Sequence, residues 1–205
     1  MVIGQVETVP PTRERIIDAS AALMRRQGYN ATGVKQIVTA ANAPFGSIYH
    51  FFPGGKEEIG AAAIRRSGAT YALLIPAVFD DAPDVVTGIR TFFAGAAEHL
   101  VATDYEDACP IATVALETSS SSETLRVACR DVFEGWYEAG TERFMELGLG
   151  AATTRDLVIA MVAALEGAFV LARAARDIAP LVIAGEMVVA AVQQAMARAP
   201  GSATP

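Results

Sequence analysis

The sequence predicts an all-α protein in which three short N-terminal helices precede a larger helical body. Two observations carry that prediction. Apolar residues recur at three- and four-residue spacing along almost the whole chain, and no stretch sustains the alternation of a strand. Hydrophobic residues make up 52% of the 205 and charged residues 19%, which suits closely packed helices around a sizeable core. That length fits one ordinary domain, or a small domain joined to a larger one. The expected boundaries are a disordered tail over 1–11, a head over 12–58, a body over 59–199 and a loose tail over 200–205.

Each element has its own justification. Thr12 suits an N-cap and Glu14 the first turn. Ile16, Ala19 or Ser20, Leu23 and Met24 mark one helical face, and Arg25 and Arg26 precede the stop at Gly28. Thr32 is the expected cap of a second, short helix with Val34, Ile37, Val38 and Ala41 as its apolar stripe. Asn42 fits the next turn because it tolerates a left-handed backbone. Pro44 suits the first position of a third short helix, where its missing N–H costs nothing. Pro53-Gly54-Gly55 then interrupts the chain before a helix over 56–78. Further helices are predicted over 83–101 and 110–117, from the capping box Ser120-x-x-Glu123 to Leu147, and over 154–176 and 180–198.

The first eleven residues lack the basic and apolar regions of a secretion signal. The longest uncharged apolar runs, near 157–165 and 178–185, fall short of the roughly 20 residues that a bilayer requires. The expectation is a soluble cytoplasmic protein with no membrane partner. Cys109 and Cys129 match no zinc spacing and imply no disulfide framework, so both read as core thiols; no metal and no cofactor is expected. The net charge of −7 conceals an asymmetry. Residues 1–66 hold eight basic and five acidic groups, and the remainder holds eight and eighteen. A basic head on an acidic body suits a polyanionic partner for the head.

Three helices in about 40 residues, the last two very short and joined by a tight turn, fit a helix-turn-helix. The third helix of such a unit enters the major groove of DNA while the second braces it. Thr32 offers a hydroxyl and helix-N-terminal amides to a phosphate. Ser47, Tyr49 and His50 supply short polar donors on the third helix. Gly46 permits close backbone approach, and Lys56 stands near a flanking phosphate. His50 also fits a purely structural role.

The run Gly46-Ser47-Ile48-Tyr49-His50-Phe51-Phe52, with Ile16-Ile17-Asp18-Ala19, Gly28-Tyr29-Asn30-Ala31-Thr32, Ile37-Val38 and Lys56-Glu57, resembles the TetR-family DNA-binding domain over about 45 residues. Phe52-Pro53-Gly54-Gly55-Lys56-Glu57 and Cys109-Pro110-Ile111-Ala112 resemble more specifically the LmrA/YxaF-like branch. The resemblance implies a homodimeric repressor of double-stranded operator DNA, released when a small-molecule inducer binds a C-terminal ligand-binding and dimerisation domain. It also implies phosphate contacts from Thr32 and Lys56, and a third-helix aromatic pair, Tyr49 and His50, against the DNA backbone. Phe45 departs from the pattern, standing where relatives often carry Lys or Arg. An apolar ring there can touch a thymine methyl. Asn42 stands where the family usually has Gly.

The long helix after Ser120 carries Phe133, Trp136 and Tyr137 at helical spacing. This stripe fits core packing, and equally the wall of a ligand pocket. Phe92, Phe93, His99, Met161 and Phe169 are candidates to complete such a pocket. Glu117 follows an apolar run and is expected to point inward, where its carboxylate needs a protein cation or a cationic ligand. The last two helices are rich in small and aliphatic residues, which suits a four-helix interface with a second copy of the chain.

Catalysis is poorly supported. Only His50 and His99 are present, and no Gly-x-Ser-x-Gly elbow occurs. Gly55-Lys56 mimics part of a phosphate loop, but His50 replaces its first Gly and Glu57 its Ser or Thr. The remaining alternative is a helical interaction or ligand-storage protein with a degenerate head.

Overall fold

The computed structural model describes residues 10–107 and 109–199, so most of both predicted tails lies outside the described residues. The described elements are all helical: α1 (Thr12–Gln27), α2 (Val34–Ala40), α3 (Ser47–Phe51), α4 (Gly55–Ala72), α5 (Leu74–Phe79), α6 (Val85–Ala102), α7 (Pro110–Thr118), α8 (Glu123–Phe144), α9 (Ala151–Ala175) and α10 (Ala179–Arg198). One 3-10 turn, Met145–Leu147, follows α8.

Several boundaries differ from the sequence reading. The predicted helix over 56–78 is two helices broken at Leu73. Pro76 has no N–H to give to Ala72, and its ring opposes a continuous helix there. Thr12 lies inside α1, after Pro11. Gly33, not Thr32, precedes α2, and the Gln36 side chain accepts from its N–H at 2.8 Å. Ser122, not Ser120, caps α8, its hydroxyl accepting from the Leu125 N–H at 3.1 Å. Pro44 opens a turn rather than α3 itself, with Ser47 N–H bonded to its carbonyl at 3.0 Å. Asn42 takes φ +46°, the left-handed conformation that the turn required.

Three buried clusters organise the molecule. Ile16, Ile37, Ile48, Phe52 and Ile59 join α1 to α4 in the head. Ile64, Ile111, Val114, Leu125 and Cys129 join α4, α7 and α8. Ile89, Leu100, Phe144, Val158 and Val192 join α6, α8, α9 and α10. Full burial of each such side chain stabilises by about 1.5–3 kcal/mol. Helix α4 gives Ile59 to the first cluster and Ile64 to the second, so one rod is shared by head and body. Where α4 crosses α8, any Cβ on Gly68 would collide with Val132, and the bare backbone allows the close approach.

Helices α9 and α10 are each long and apolar enough, by length and composition alone, to cross a bilayer. That exceeds what the interrupted apolar runs suggested. In the fold their inner faces pack on each other and α6, while Val170, Leu171, Val182, Ile183 and Met187 remain exposed.

Candidate functional site

The head presents α3 on its outside. Ile48 is buried beneath it, so the helix is anchored by one face and free on the other. Tyr49 is 64% exposed and Phe45 46% exposed, with their rings edge to face at 6.1 Å. His50 is exposed and meets Phe51 at 4.6 Å. Ser47 is half-buried at the first turn. Gly46 has φ −62°, and nothing lies within 4 Å of where its Cβ would stand, so no internal constraint demands glycine. Lys35, Gln36 and Thr39 form the exposed side of α2 and were not among the sequence candidates.

Thr32 departs from the expected geometry. It is fully buried, and its hydroxyl donates to the Gly28 carbonyl at 2.6 Å while accepting from Gln27 Nε2 at 3.3 Å. The hydroxyl expected to face a phosphate is therefore spent on fixing the α1–α2 turn. Arg15 braces the α2–α3 turn, donating to the Ala41 carbonyl at 3.0 Å and the Asn42 carbonyl at 3.2 Å. Lys56 is half-buried, its ammonium 4.2 Å from the centre of the Tyr29 ring and 3.5 Å from the Asn30 carbonyl. Desolvation pushes its pKa down, against the opposing pull of Glu117.

Glu117 corrects the sequence reading most sharply. It does not point into a pocket. Its Oε2 accepts from the Tyr29 N–H at 2.7 Å and the Asn30 N–H at 3.0 Å, so α7 holds the end of α1. Two further links join head and body. Arg66 of α4 pairs with Glu14 and Asp18 of α1. Arg25, in the last turn of α1, places Nε 2.9 Å from Asp107 Oδ2. This ion pair lies outside hydrogen-bond angles.

The body encloses a cavity of about 400 Å³ between α4, α5, α6, α8 and α9. Of the sequence candidates, Phe92, His99, Trp136, Met161 and Phe169 line it. Phe93 does not: it is buried against Gly185 of α10, a position where a Cβ would press on its ring. Phe133 packs on Trp136 at 5.6 Å in the α4–α7–α8 cluster, and Tyr137 stacks on Phe133 under Arg155. Both follow the core-packing reading of the aromatic stripe. Trp136 donates from Nε1 to the Gly68 carbonyl at 3.0 Å, which fixes its ring at the wall.

The cavity's ionisable groups were mostly missed. Asp107, Cys109, Arg143, Glu166 and Tyr71 line it with His99. Asp107 is buried beside Arg25, and His99 Nε2 lies 3.7 Å from the same carboxylate oxygen. Arg143 pairs with Asp80 at 2.6 Å. Burial pushes the Glu166 carboxyl up to about 7, partly offset by a hydrogen bond with Cys109. Burial likewise holds the Cys109 thiol well above its ordinary range, so it is not a ready thiolate nucleophile. Glu166 offered no local signal beyond a charge inside an apolar helix. Asp107 and Cys109 lie at the end of the α6–α7 connection, whose path no periodicity reveals.

Residues 16–63 match the bacterial regulatory proteins of the tetR family, and residues 85–187 match the C-terminal domain of LmrA/YxaF-like transcriptional regulators. The chain is 34% identical over 177 residues to the HTH-type transcriptional regulator YxaF of Bacillus subtilis, covering 86% of this chain and 93% of that one. It is 30% identical to the HTH-type transcriptional regulator LmrA of the same organism, covering 83% and 90%. The crystal structure of regulatory protein TetR from Rhodobacter sphaeroides superposes with a TM-score of 0.77 at 25% identity, over 88% of this chain and 98% of that chain.

Proposed function

Because this chain belongs to the TetR family of transcriptional regulators, with an LmrA/YxaF-like C-terminal domain, we propose that it is a repressor released from its operator by a small molecule. The observation that carries the reading is the pairing of an outward-facing α3 with a large apolar cavity, joined through α4. Tyr49, His50, Ser47 and Phe45 face the DNA, and Gly46 lets the backbone approach it. The role of glycine there is external, because the protein itself leaves space for a side chain. Thr32 contributes by shaping the turn below α2, and Lys56 by its charge at the start of α4.

The acting species is a homodimer. The exposed apolar faces of α9 and α10 are covered by the same faces of a second copy, which also accounts for their apolar character in a protein of the cytoplasm. Two heads then address successive major grooves of a pseudo-palindrome. A ligand lining up against α4, α5 and α6 favours a state with different head spacing, and it acts only through its differential affinity for that state. The Arg25–Asp107 pair gives the cavity wall a second route to α1.

Fluorescence anisotropy on DNA from upstream of the coding region tests this. The expected result is salt-dependent, sequence-selective binding by a dimer. Equal affinity for unrelated DNA, or a monomer in sedimentation at micromolar concentration, would overturn the reading.

A further inference from the structure

The cavity's charge inventory is lopsided in a way that bears on what it accepts. This inference rests on the proposed reading of the cavity as the ligand site. Of its lining carboxylates, Asp107 already has Arg25 and His99 beside it. The lining cation Arg143 is paired to Asp80. Glu166, projecting from α9, has Cys109 as its hydrogen-bonding neighbour, and no ion pair to Glu166 occurs among the described residues. Tyr137 is the other titratable group that senses its charge, and Arg155 is spent on Glu134 at 2.5 Å. Glu166 is half-buried, and a carboxylate largely withdrawn from water without a countercharge is pushed toward its neutral form. Burial lifts Glu166 to about 7. The same cavity is lined by the rings of Tyr71, Phe92, Trp136 and Phe169, whose faces attract positive charge.

We infer that the cavity takes a lipophilic organic cation, an aromatic or aliphatic body bearing one ammonium-type group, with Glu166 as the counter-ion and the surrounding rings holding the body. A bound cation supplies the missing partner and drives Glu166 to its ionised form. For a cation that cannot itself titrate, binding releases a proton and strengthens as pH rises through about 7. A cavity of about 400 Å³ suits a ligand of modest size.

Trp136, the chain's single tryptophan, lines the cavity and reports occupancy by its fluorescence. Three matched compounds separate the possibilities: (4-phenylbutyl)trimethylammonium, its neutral carbon isostere (5,5-dimethylhexyl)benzene, and the anion 5-phenylpentanoate. The full-length dimer is titrated with each at pH 6 and pH 8, alongside Glu166→Gln and Glu166→Asp. The expected result is at least tenfold tighter binding of the cation than of the isostere at pH 8. That preference shrinks at pH 6, vanishes in Glu166→Gln and partly survives in Glu166→Asp. Binding of the neutral isostere by Glu166→Gln shows that the cavity is intact. Equal or tighter binding of the neutral or anionic compound by the wild type overturns the cation assignment while leaving a ligand cavity. An undiminished cation preference in Glu166→Gln also overturns it. If none of the three binds, the assignment fails too, and operator binding measured on the same sample shows whether the regulator reading fails with it.

Discussion

The carboxylate of Glu117 meets the backbone N–H of Tyr29 at 2.7 Å, so a side chain of α7 holds the chain as it leaves α1. The N–H of Asn30 shares the same oxygen at 3.0 Å. Gly28 makes this possible: it takes φ +78°, and a Cβ there would collide with the Glu117 carboxylate. Lys56, above the Tyr29 ring, balances the negative charge. The body thus grips the head at the turn that leads into α2.

Removing that grip should loosen the head. Glu117→Ala is expected to destabilise by about 2–3 kcal/mol, since charge-assisted hydrogen bonds to two amides are lost. Glu117→Gln should cost less because one acceptor remains. Gly28→Ala should cost at least as much as Glu117→Ala, combining backbone strain with the collision. Chemical denaturation gives the magnitudes. Hydrogen exchange at the Tyr29 and Asn30 amides checks the cause, and unchanged protection in Glu117→Ala would refute it.

Arg25 is expected to carry part of the ligand response. Arg25→Met keeps the aliphatic stem but removes the charge facing Asp107. Operator affinity without ligand should change by only a few-fold, while the ligand-induced loss of affinity should weaken by roughly five-fold or more. Anisotropy titrations with and without ligand measure both. A response equal to wild type would remove Arg25 from the route.

Tyr49→Ala tests the recognition surface. The side chain is 64% exposed, so the melting temperature should hold. Operator affinity should fall roughly tenfold or more, consistent with the loss of one contact of about 1–3 kcal/mol. Normal operator affinity in this variant would place the DNA-facing surface elsewhere.

The folded protein should lose stability as pH rises through the Glu166 transition. Its carboxyl is near 4.5 ordinarily and about 7 in the fold, so between those values the folded state holds a proton that the unfolded chain has released. Stability from this group is full below 4.5 and is lost by the time pH passes 7, on the order of 3 kcal/mol in total. The carboxylates held low, Glu14, Asp84, Glu123 and Glu186, act in the opposite sense and only toward acid. Denaturation at pH 5 and pH 8 measures the difference, and Glu166→Gln should abolish it.

The sequence by itself determined what depends on near neighbours. Helical spacing placed the helices, Gly28 and Pro53-Gly54-Gly55 placed stops, and Asn42 announced a left-handed turn that φ +46° matches. The run from Gly46 to Phe52 identified the head, whose core is assembled from residues within about fifty positions. Phe92, His99, Trp136, Met161 and Phe169 were legible as cavity candidates because aromatic and polarisable residues at helical spacing mark an inward face. Which inward face borders space and which is packed solid was not legible. Phe93 and Phe92 are adjacent, yet only the fold sends one to α10 and the other to the cavity. Tertiary structure alone decided the partners of the charges. Glu117 meets amides 88 and 87 positions away, Arg25 meets Asp107, and Glu166 meets Cys109. Periodicity encodes the direction of a side chain relative to its own helix axis, whereas burial and countercharge depend on what another helix brings to the same place.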